Sequence, residues 1–181
     1  MELYSTKENL QFLVDTHPYH KSLNEKIIRE SKGLEWKREY YNADGGLTNV
    51  RAPQTTPYLF TPNVRILQDY IRGLTELNLA FTPHIQIVNC WIANYGRGDY
   101  AKKHHHGASW FSFVYFIRTP KGSSPLVFTT SGRRIKAEEG KVVIFPGTVR
   151  HSVPLNKCEG RMCMAGNIDF VDPMKMHEKD I

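Results

Sequence analysis

Three consecutive histidines, His104, His105 and His106, form a dense group of metal-ligating side chains in the middle of the 181-residue chain. They stand where a loop leads into a strand predicted from Trp110 to Arg118. In an extended backbone residues i and i+2 point to the same side, so His104 and His106 can reach one ion while His105 faces away. Imidazole nitrogens suit iron, zinc, copper or nickel. The triplet alone leaves a metal site and a surface histidine cluster as equal alternatives.

Two further residues, His151 and Arg161, bear on the choice and favour the metal site. His151 follows an apolar run, Val142 to Phe145, and a Pro-Gly turn. In a double-stranded β-helix, a long stretch of chain such as that from His104 to His151 crosses the barrel and brings a third ligand to the first two. Arg161 opens another apolar strand, where an arginine either pairs within the core or binds an anion. We therefore expect His151 to complete the metal site, while both alternatives stay open for Arg161 at this point.

The first half of the chain predicts two helices that flank a long loop. A capping box, Ser22-Leu-Asn-Glu25, predicts a helix over residues 22–32. Apolar residues at spacings of three and four predict a second helix over residues 63–78. A short apolar run, Leu10 to Val14, favours a strand, and the Gly-, Pro- and Asn-rich residues 33–61 favour a loop.

The second half of the chain predicts strands. Ile85, Ile87, Asn89 and Trp91 alternate with the residues between them, which indicates a strand covered on both faces. Further short β-rich runs follow, each bounded by turn residues: Trp110 to Arg118, Leu126 to Thr130, Lys141 to Phe145 and Arg161 to Phe170. Helices followed by many short strands predict a mainly β jelly roll with two N-terminal helices packed outside. We expect one domain over residues 1–181, with a helical part over about 1–80 and a barrel over about 84–170.

Composition narrows the class of protein. Hydrophobic residues make up 40% of the chain, enough for a core, and no apolar run approaches the length of a membrane span. The net charge of +6 is spread along the sequence and accompanies no nucleic-acid motif, so we expect no nucleic-acid partner. Three cysteines, an odd number behind an N-terminus without signal-peptide character, predict reduced thiols and a cytoplasmic protein.

Five sequence blocks, in order, resemble the Fe(II)- and 2-oxoglutarate-dependent oxygenase superfamily. They are similar, more narrowly, to the small oxygenase-like proteins of bacteria and tailed phages. The resemblance covers roughly residues 48–170, and the blocks are Trp91-Ile-Ala-Asn-Tyr-Gly-Arg-Gly98, His104-His-His106-Gly-Ala-Ser109, Ser112-Phe-Val-Tyr115-Phe, Phe145-Pro-Gly-Thr-Val-Arg-His151-Ser-Val and Arg161-Met-Cys-Met-Ala-Gly-Asn167.

The resemblance implies a double-stranded β-helix with Fe(II) at its open end. It assigns the metal to His104, His106 and His151, and the distal carboxylate of 2-oxoglutarate to Arg161, whose planar guanidinium suits a bidentate contact. Cys163 occupies the position of a serine in the wider family and is a weaker hydrogen-bonding partner there. Tyr115, on a neighbouring strand, is expected to add a hydroxyl to the cosubstrate site.

The chain departs from the superfamily at His106, where the second ligand is usually Asp or Glu. Three neutral imidazoles would leave the ion its full charge, which dianionic 2-oxoglutarate could neutralise. In an alternative register of this motif, His105 is the metal ligand and the small Gly107 is a non-ligand. This register would resemble the halogenating members of the superfamily, in which a small residue leaves room for halide.

Three functions stay open at this stage. The first is a 2-oxoglutarate-dependent hydroxylase that releases succinate and CO₂. The second is a three-histidine, cupin-like metal dioxygenase that uses no oxoacid, and the third is a non-catalytic metal-binding jelly roll. The sequence does not identify the substrate, which could be a protein side chain, a nucleotide or a metabolite, and it leaves the oligomeric state open. Loops over residues 33–61 and 98–103 are expected to border the metal end.

Overall fold

A computed structural model describes residues 10–38, 48–79 and 84–171. Within these residues the chain forms two helices and ten strands. The helices are α1 (His20–Ser31) and α2 (Pro62–Leu77). The strands are β1 (Leu13–Thr16), β2 (Val50–Arg51), β3 (Ile85–Tyr95), β4 (Tyr100–His104), β5 (Phe111–Arg118), β6 (Leu126–Phe128), β7 (Arg133–Ile135), β8 (Lys141–Pro146), β9 (His151–Val153) and β10 (Arg161–Phe170).

The strands form two antiparallel five-stranded sheets. The larger sheet has the order β1-β8-β5-β10-β3, and the smaller has the order β2-β4-β9-β6-β7. Apolar side chains from both sheets make one shared core, in which Phe116 and Phe145 of the larger sheet meet Ala101 and Val153 of the smaller. This double-stranded β-helix with two helices confirms the predicted fold class.

Both helices cover the outer face of the larger sheet. Ile27 of α1 and Leu67 and Ile71 of α2 are fully buried, and they share a second core with Ile92 and Met164 of the sheet. The predicted spacing of apolar residues in the second helix therefore serves to bury one face of α2.

The first helix differs from the prediction at its start. α1 begins at His20, so Ser22 lies inside the first turn, and its hydroxyl donates a hydrogen bond to the carbonyl oxygen of Tyr19. The capping-box prediction is wrong, because the residue before the helix is Tyr19 and it makes no side-chain cap.

A β-bulge changes the predicted alternation of β3. Asn167 of β10 pairs with Asn89, whereas the next residue, Ile168, pairs with Ile87, so Val88 is an extra residue on β3. As a result Ile85 and Ile87 face the helices, while Asn89 and Trp91 face the barrel interior and its opening. The prediction that all four share one face is wrong, since the extra residue reverses the alternation.

Two predicted loops contain strands. Residues 33–61 include β2 and a backbone bridge between Lys37 and Gln54, although residues 39–47 lie outside the described part. Residues 98–103 lead into and form most of β4. No helix among the described residues is long and apolar enough to cross a membrane.

Candidate metal centre and cosubstrate site

The smaller sheet brings three histidines together at one end of the barrel. His104 is the last residue of β4 and lies directly opposite His151, the first residue of β9. His106 follows two residues after β4. The ring centroids are 4.2 Å apart for His104 and His151, 5.0 Å for His104 and His106, and 5.3 Å for His106 and His151. One ligand atom from each residue lies within 4.8 Å of the others, so the cluster can hold a metal ion.

The turn after β8 fixes the backbone of His106. The His106 amide donates to the carbonyl of Gly147 at 2.7 Å, and the Gly147 amide donates to the carbonyl of Trp110 at 2.9 Å. A Cβ at Gly147 would overlap the carbonyl oxygens of His106 and Ser109. Glycine is therefore required here, because the loop that carries His106 lies directly against it.

Backbone carbonyls orient two of the three rings. Nδ1 of His104 lies 2.7 Å from the carbonyl oxygen of Lys102, and Nδ1 of His151 lies 2.9 Å from that of Val149. A carbonyl only accepts hydrogen bonds, so Nδ1 of each ring carries the proton and donates. The lone pair then lies on Nε2, which is the usual arrangement of a metal-binding histidine.

Burial keeps the cluster neutral. Burial, with a smaller contribution from the neighbouring histidines, lowers the pKa of His106 to about 3 and that of His151 to about 4. Burial also lowers the pKa of His104. Near pH 7 all three imidazoles are neutral, which is the form that binds metal ions. His105 is exposed, its Nδ1 accepts a hydrogen bond from the Gly107 amide, and the structure does not bring it into the cluster.

Arg161 lines the same interior cavity as the three histidines. It has no exposed surface. Its Nε donates to the carbonyl of Ser124 at 2.8 Å, and its Nη1 lies 3.5 Å from the Cys163 sulfur. The guanidinium carbon lies 4.6 Å from the ring centroid of Tyr95 and 5.4 Å from that of Phe116. Nη2 has no hydrogen-bond partner among the described residues.

An anion would complete this arrangement. A buried guanidinium is costly unless it is paired, and no aspartate or glutamate lines the cavity in the described part of the chain. Nη1 has only a weak thiol partner and Nη2 has none, so both nitrogens are available for a bidentate carboxylate contact. The residues present therefore fit a ligand with a carboxylate at Arg161 and a metal ion at the histidines.

Tyr115 is a correction to the predicted site. Its side chain lies on the helix face of the larger sheet, fully buried in the core that includes α1 and α2. Its hydroxyl donates to Oδ1 of Asn24 at 2.7 Å. Neighbouring strand residues point to opposite faces, and it is Phe116 that faces Arg161. The prediction that Tyr115 contributes to the cosubstrate site is wrong for this reason.

The sequence analysis did not identify Tyr95 as a site residue, and it did not identify the face of β3 that points into the barrel. Tyr95 is buried with its ring against Arg161, and burial raises the pKa of its phenol. Trp91 lines both the interior cavity and a wider cleft of about 600 Å³ that opens beside the histidines. Both residues occur in the first block of the resemblance, and period-two alternation beginning from Trp91 would have placed them on one face.

Solved structures with a similar fold are 2-oxoglutarate–Fe(II) oxygenases. The viral collagen prolyl hydroxylase of Paramecium bursaria Chlorella virus-1, solved with 2-oxoglutarate, has a TM-score of 0.69 at 14% identity over 87% of this chain and 94% of that one. The Pseudomonas putida prolyl-4-hydroxylase has a TM-score of 0.64 at 14% identity over 88% and 92% of the two chains. HygX of Streptomyces hygroscopicus, solved with nickel and 2-oxoglutarate, has a TM-score of 0.66 at 11% identity over 88% and 83%.

No protein-family model matches this chain, and no curated protein matches it in sequence. At identities of 11–14% the structural likeness concerns the fold. The chain thus has the double-stranded β-helix of the 2-oxoglutarate–Fe(II) oxygenases, and at one end it has a histidine cluster that can hold a metal.

Proposed function

We propose that this protein is an Fe(II)- and 2-oxoglutarate-dependent oxygenase, a hydroxylase that releases succinate and CO₂. One observation carries the proposal: a buried, incompletely paired Arg161 and the histidine cluster line a single cavity, and no described residue contributes a carboxylate to it. The likeness of the fold to enzymes solved with 2-oxoglutarate supports it.

Each residue has a distinct task in this proposal. His104, His106 and His151 hold Fe(II), which supplies the activation of O₂ and the oxidative decarboxylation of the oxoacid. Arg161 binds the distal carboxylate and thereby orients 2-oxoglutarate, while Tyr95 and Phe116 exclude water from the guanidinium. Since all three ligands are neutral, the ion would keep its full charge, and dianionic 2-oxoglutarate would offset part of the combined positive charge of the ion and Arg161.

The same ligand set supports a second candidate function. Three imidazoles without a carboxylate also suit a cupin-like dioxygenase that binds its substrate directly at the metal and consumes no oxoacid. In that case the anion that pairs with Arg161 would be a carboxylate of the substrate itself. The two functions differ in one product, because only the first forms succinate.

The test is an anaerobic titration of the purified chain with Fe(II) and 2-oxoglutarate, followed by addition of O₂ and measurement of succinate. We expect one Fe(II) per chain, 2-oxoglutarate binding that depends on the metal, and slow succinate release without added substrate. The His105→Ala variant is the matched control for binding: His105 lies outside the cluster, so its removal should leave the binding of Fe(II) and of 2-oxoglutarate unchanged.

Metal-dependent consumption of O₂ without succinate would contradict the first function and favour the cupin-like dioxygenase. Binding of 2-oxoglutarate that is independent of both the metal and Arg161 would contradict the proposed cosubstrate site. A metal bound with no change on adding 2-oxoglutarate or O₂ would favour a non-catalytic metal-binding protein.

A further inference from the structure

The cleft beside the histidines lies between β3 and the segment of residues 48–58. It has a volume of about 600 Å³, and His104 and His106 stand at its inner end. Among the described residues that line it, none is Asp, Glu, Lys or Arg. Apart from the histidines, Tyr58 and Trp91, its polar side chains are amides and hydroxyls: Thr48, Asn49, Gln54, Thr55, Asn89 and Asn167. A cleft of this composition has no fixed charge with which to bind an ionic substrate.

A chain of hydrogen bonds crosses the larger sheet and ends in this cleft. The Ser112 hydroxyl donates to Oδ1 of Asn167 at 2.9 Å, and Nδ2 of Asn167 donates to Oδ1 of Asn89 at 2.9 Å. Ser112 and Asn167 are 2% and 7% exposed, so protein surrounds these two residues and fixes their contacts. Oδ1 of Asn89 is therefore occupied, and its NH₂ group has no protein partner within the described residues.

Trp91 provides a second unpaired donor on the same face of β3. It follows Asn89 by two residues, and its ring centroid lies 6.3 Å from that of His106. Its indole nitrogen is buried and has no hydrogen-bond partner in the described part of the chain. A buried donor without a partner is costly, and a ligand with an acceptor oxygen would remove that cost.

We propose that the cleft selects an uncharged substrate that presents a carbonyl oxygen, as an amide does, and that Asn89 determines this specificity. The inference rests on the proposed function, because it names the substrate class of that site. A cationic substrate would meet no counter-charge among the described residues that line the cleft. Either ion would exchange its hydration for neutral groups alone, whereas an amide loses less on leaving water and its carbonyl oxygen can accept from the NH₂ group of Asn89, next to Trp91.

Three small alanine derivatives of different charge test the proposal. They are N-acetylalaninamide, which is uncharged, alaninamide, which is cationic, and N-acetylalanine, which is anionic. Each is added to the full chain loaded with Zn(II) and saturated with 2-oxoglutarate, so that Arg161 is already occupied. The readout is the NMR shift of the Trp91 indole N–H, assigned with the Trp91→Phe variant. We expect the uncharged probe to bind at least about tenfold more tightly than either ion.

Substitutions at Asn89 separate specificity from structure. In Asn89→Asp one carboxylate oxygen still accepts from Asn167, while the other places a negative charge in the cleft, so the preference should change to alaninamide. In Asn89→Leu the uncharged probe should bind about two- to tenfold more weakly, with no gain for the cation. Gln86→Glu is the matched control, because it adds the same charge at an exposed position of β3 and should keep the original preference.

Equal binding of alaninamide and N-acetylalaninamide to the wild-type protein would overturn the proposal. So would an Asn89→Asp variant with unchanged preference, or a Trp91 signal that no probe shifts. Succinate release with Fe(II) is measured separately. If the probe preferences are as expected and no succinate forms, the oxygenase function is wrong and the specificity of the cleft stands. If succinate forms and the preferences are not as expected, the oxygenase function stands and the specificity is wrong.

Discussion

The two faces of the larger sheet treat buried polar groups differently. On the helix face the Tyr115 hydroxyl donates to Asn24, and the Asn24 amide donates to the carbonyl of Ile117 at 2.8 Å. On the barrel face, Arg161 and Trp91 each have a buried nitrogen without a partner. Among the described residues three buried side-chain nitrogen or oxygen atoms lack a hydrogen-bond partner. They are Nη2 of Arg161, Nε1 of Trp91 and Oδ1 of Asn94.

The difference distinguishes a polar group that stabilises the fold from one that is left available for a ligand. Protein atoms satisfy Tyr115, so its hydrogen bond contributes to folding. Within the described residues no protein atom pairs with Nη2 of Arg161, and a ligand carboxylate would offset the cost of burying that nitrogen. Substitutions on the helix face should change stability alone, and substitutions on the barrel face should change binding.

The largest expected effect is on the metal. Replacing His104, His106 or His151 by alanine should abolish Fe(II) binding, since two neutral nitrogens compete poorly with water for the ion. Metal content of the purified, folded variants is the measurement. His105→Ala should keep its iron, although it can lower turnover through contacts around the site. Loss of iron in His105→Ala, together with its retention in His106→Ala, would favour the register that uses His105 and Gly107.

The second effect concerns the cosubstrate. Arg161→Lys should weaken 2-oxoglutarate binding by about ten- to a hundredfold, because lysine loses the bidentate contact, worth about 1.5–3 kcal/mol. Isothermal titration at constant Fe(II) measures the affinity. Arg134→Lys, on exposed β7, is the control and should bind as the wild type does. An unchanged affinity in Arg161→Lys would show that another group binds the carboxylate.

The third effect is a pH dependence of stability in the metal-free protein. The folded-state pKa of His106 is about 3 and that of His151 about 4, both below the unfolded value near 6.5. The unfolded chain therefore binds more protons between pH 6.5 and 4, and the free energy of unfolding should fall as the pH is lowered through this range, by on the order of 5 kcal/mol for the two histidines together. Urea unfolding at several pH values measures it, and His106→Gln should flatten the curve. A curve that is already flat in the wild type would contradict the neutral cluster.

The smallest effect belongs to the helix face. Tyr115→Phe should lower the free energy of unfolding by about 1–3 kcal/mol, because it leaves Oδ1 of Asn24 buried without its donor. Affinity for 2-oxoglutarate should stay the same, since Tyr115 lies across the sheet from Arg161. Urea unfolding and titration of the same sample measure both quantities. A weaker affinity without a loss of stability would remove the distinction between the two faces.

Local sequence patterns predicted the features that depend on local geometry. Spacing of apolar residues predicted α2, and alternation predicted that His104 and His106 can act together. Alternation gave no such guidance on β5. The residues around Tyr115 are apolar and buried on both faces of the strand, so the sequence does not indicate which of them face the barrel. Alternation also failed on β3, because the extra residue Val88 is recognisable only against its partner strand β10.

The short strands of the smaller sheet have a consequence for the lifetime of the protein. β4 and β9 contain five and three residues, and the three histidines lie at their ends or in the loop beyond. An ion held by both strands would act as a cross-link between segments far apart in the chain, and its binding free energy would add to that of folding. In a cell, the supply of metal would then influence how often this sheet opens to proteases, and so how long each copy of the chain survives.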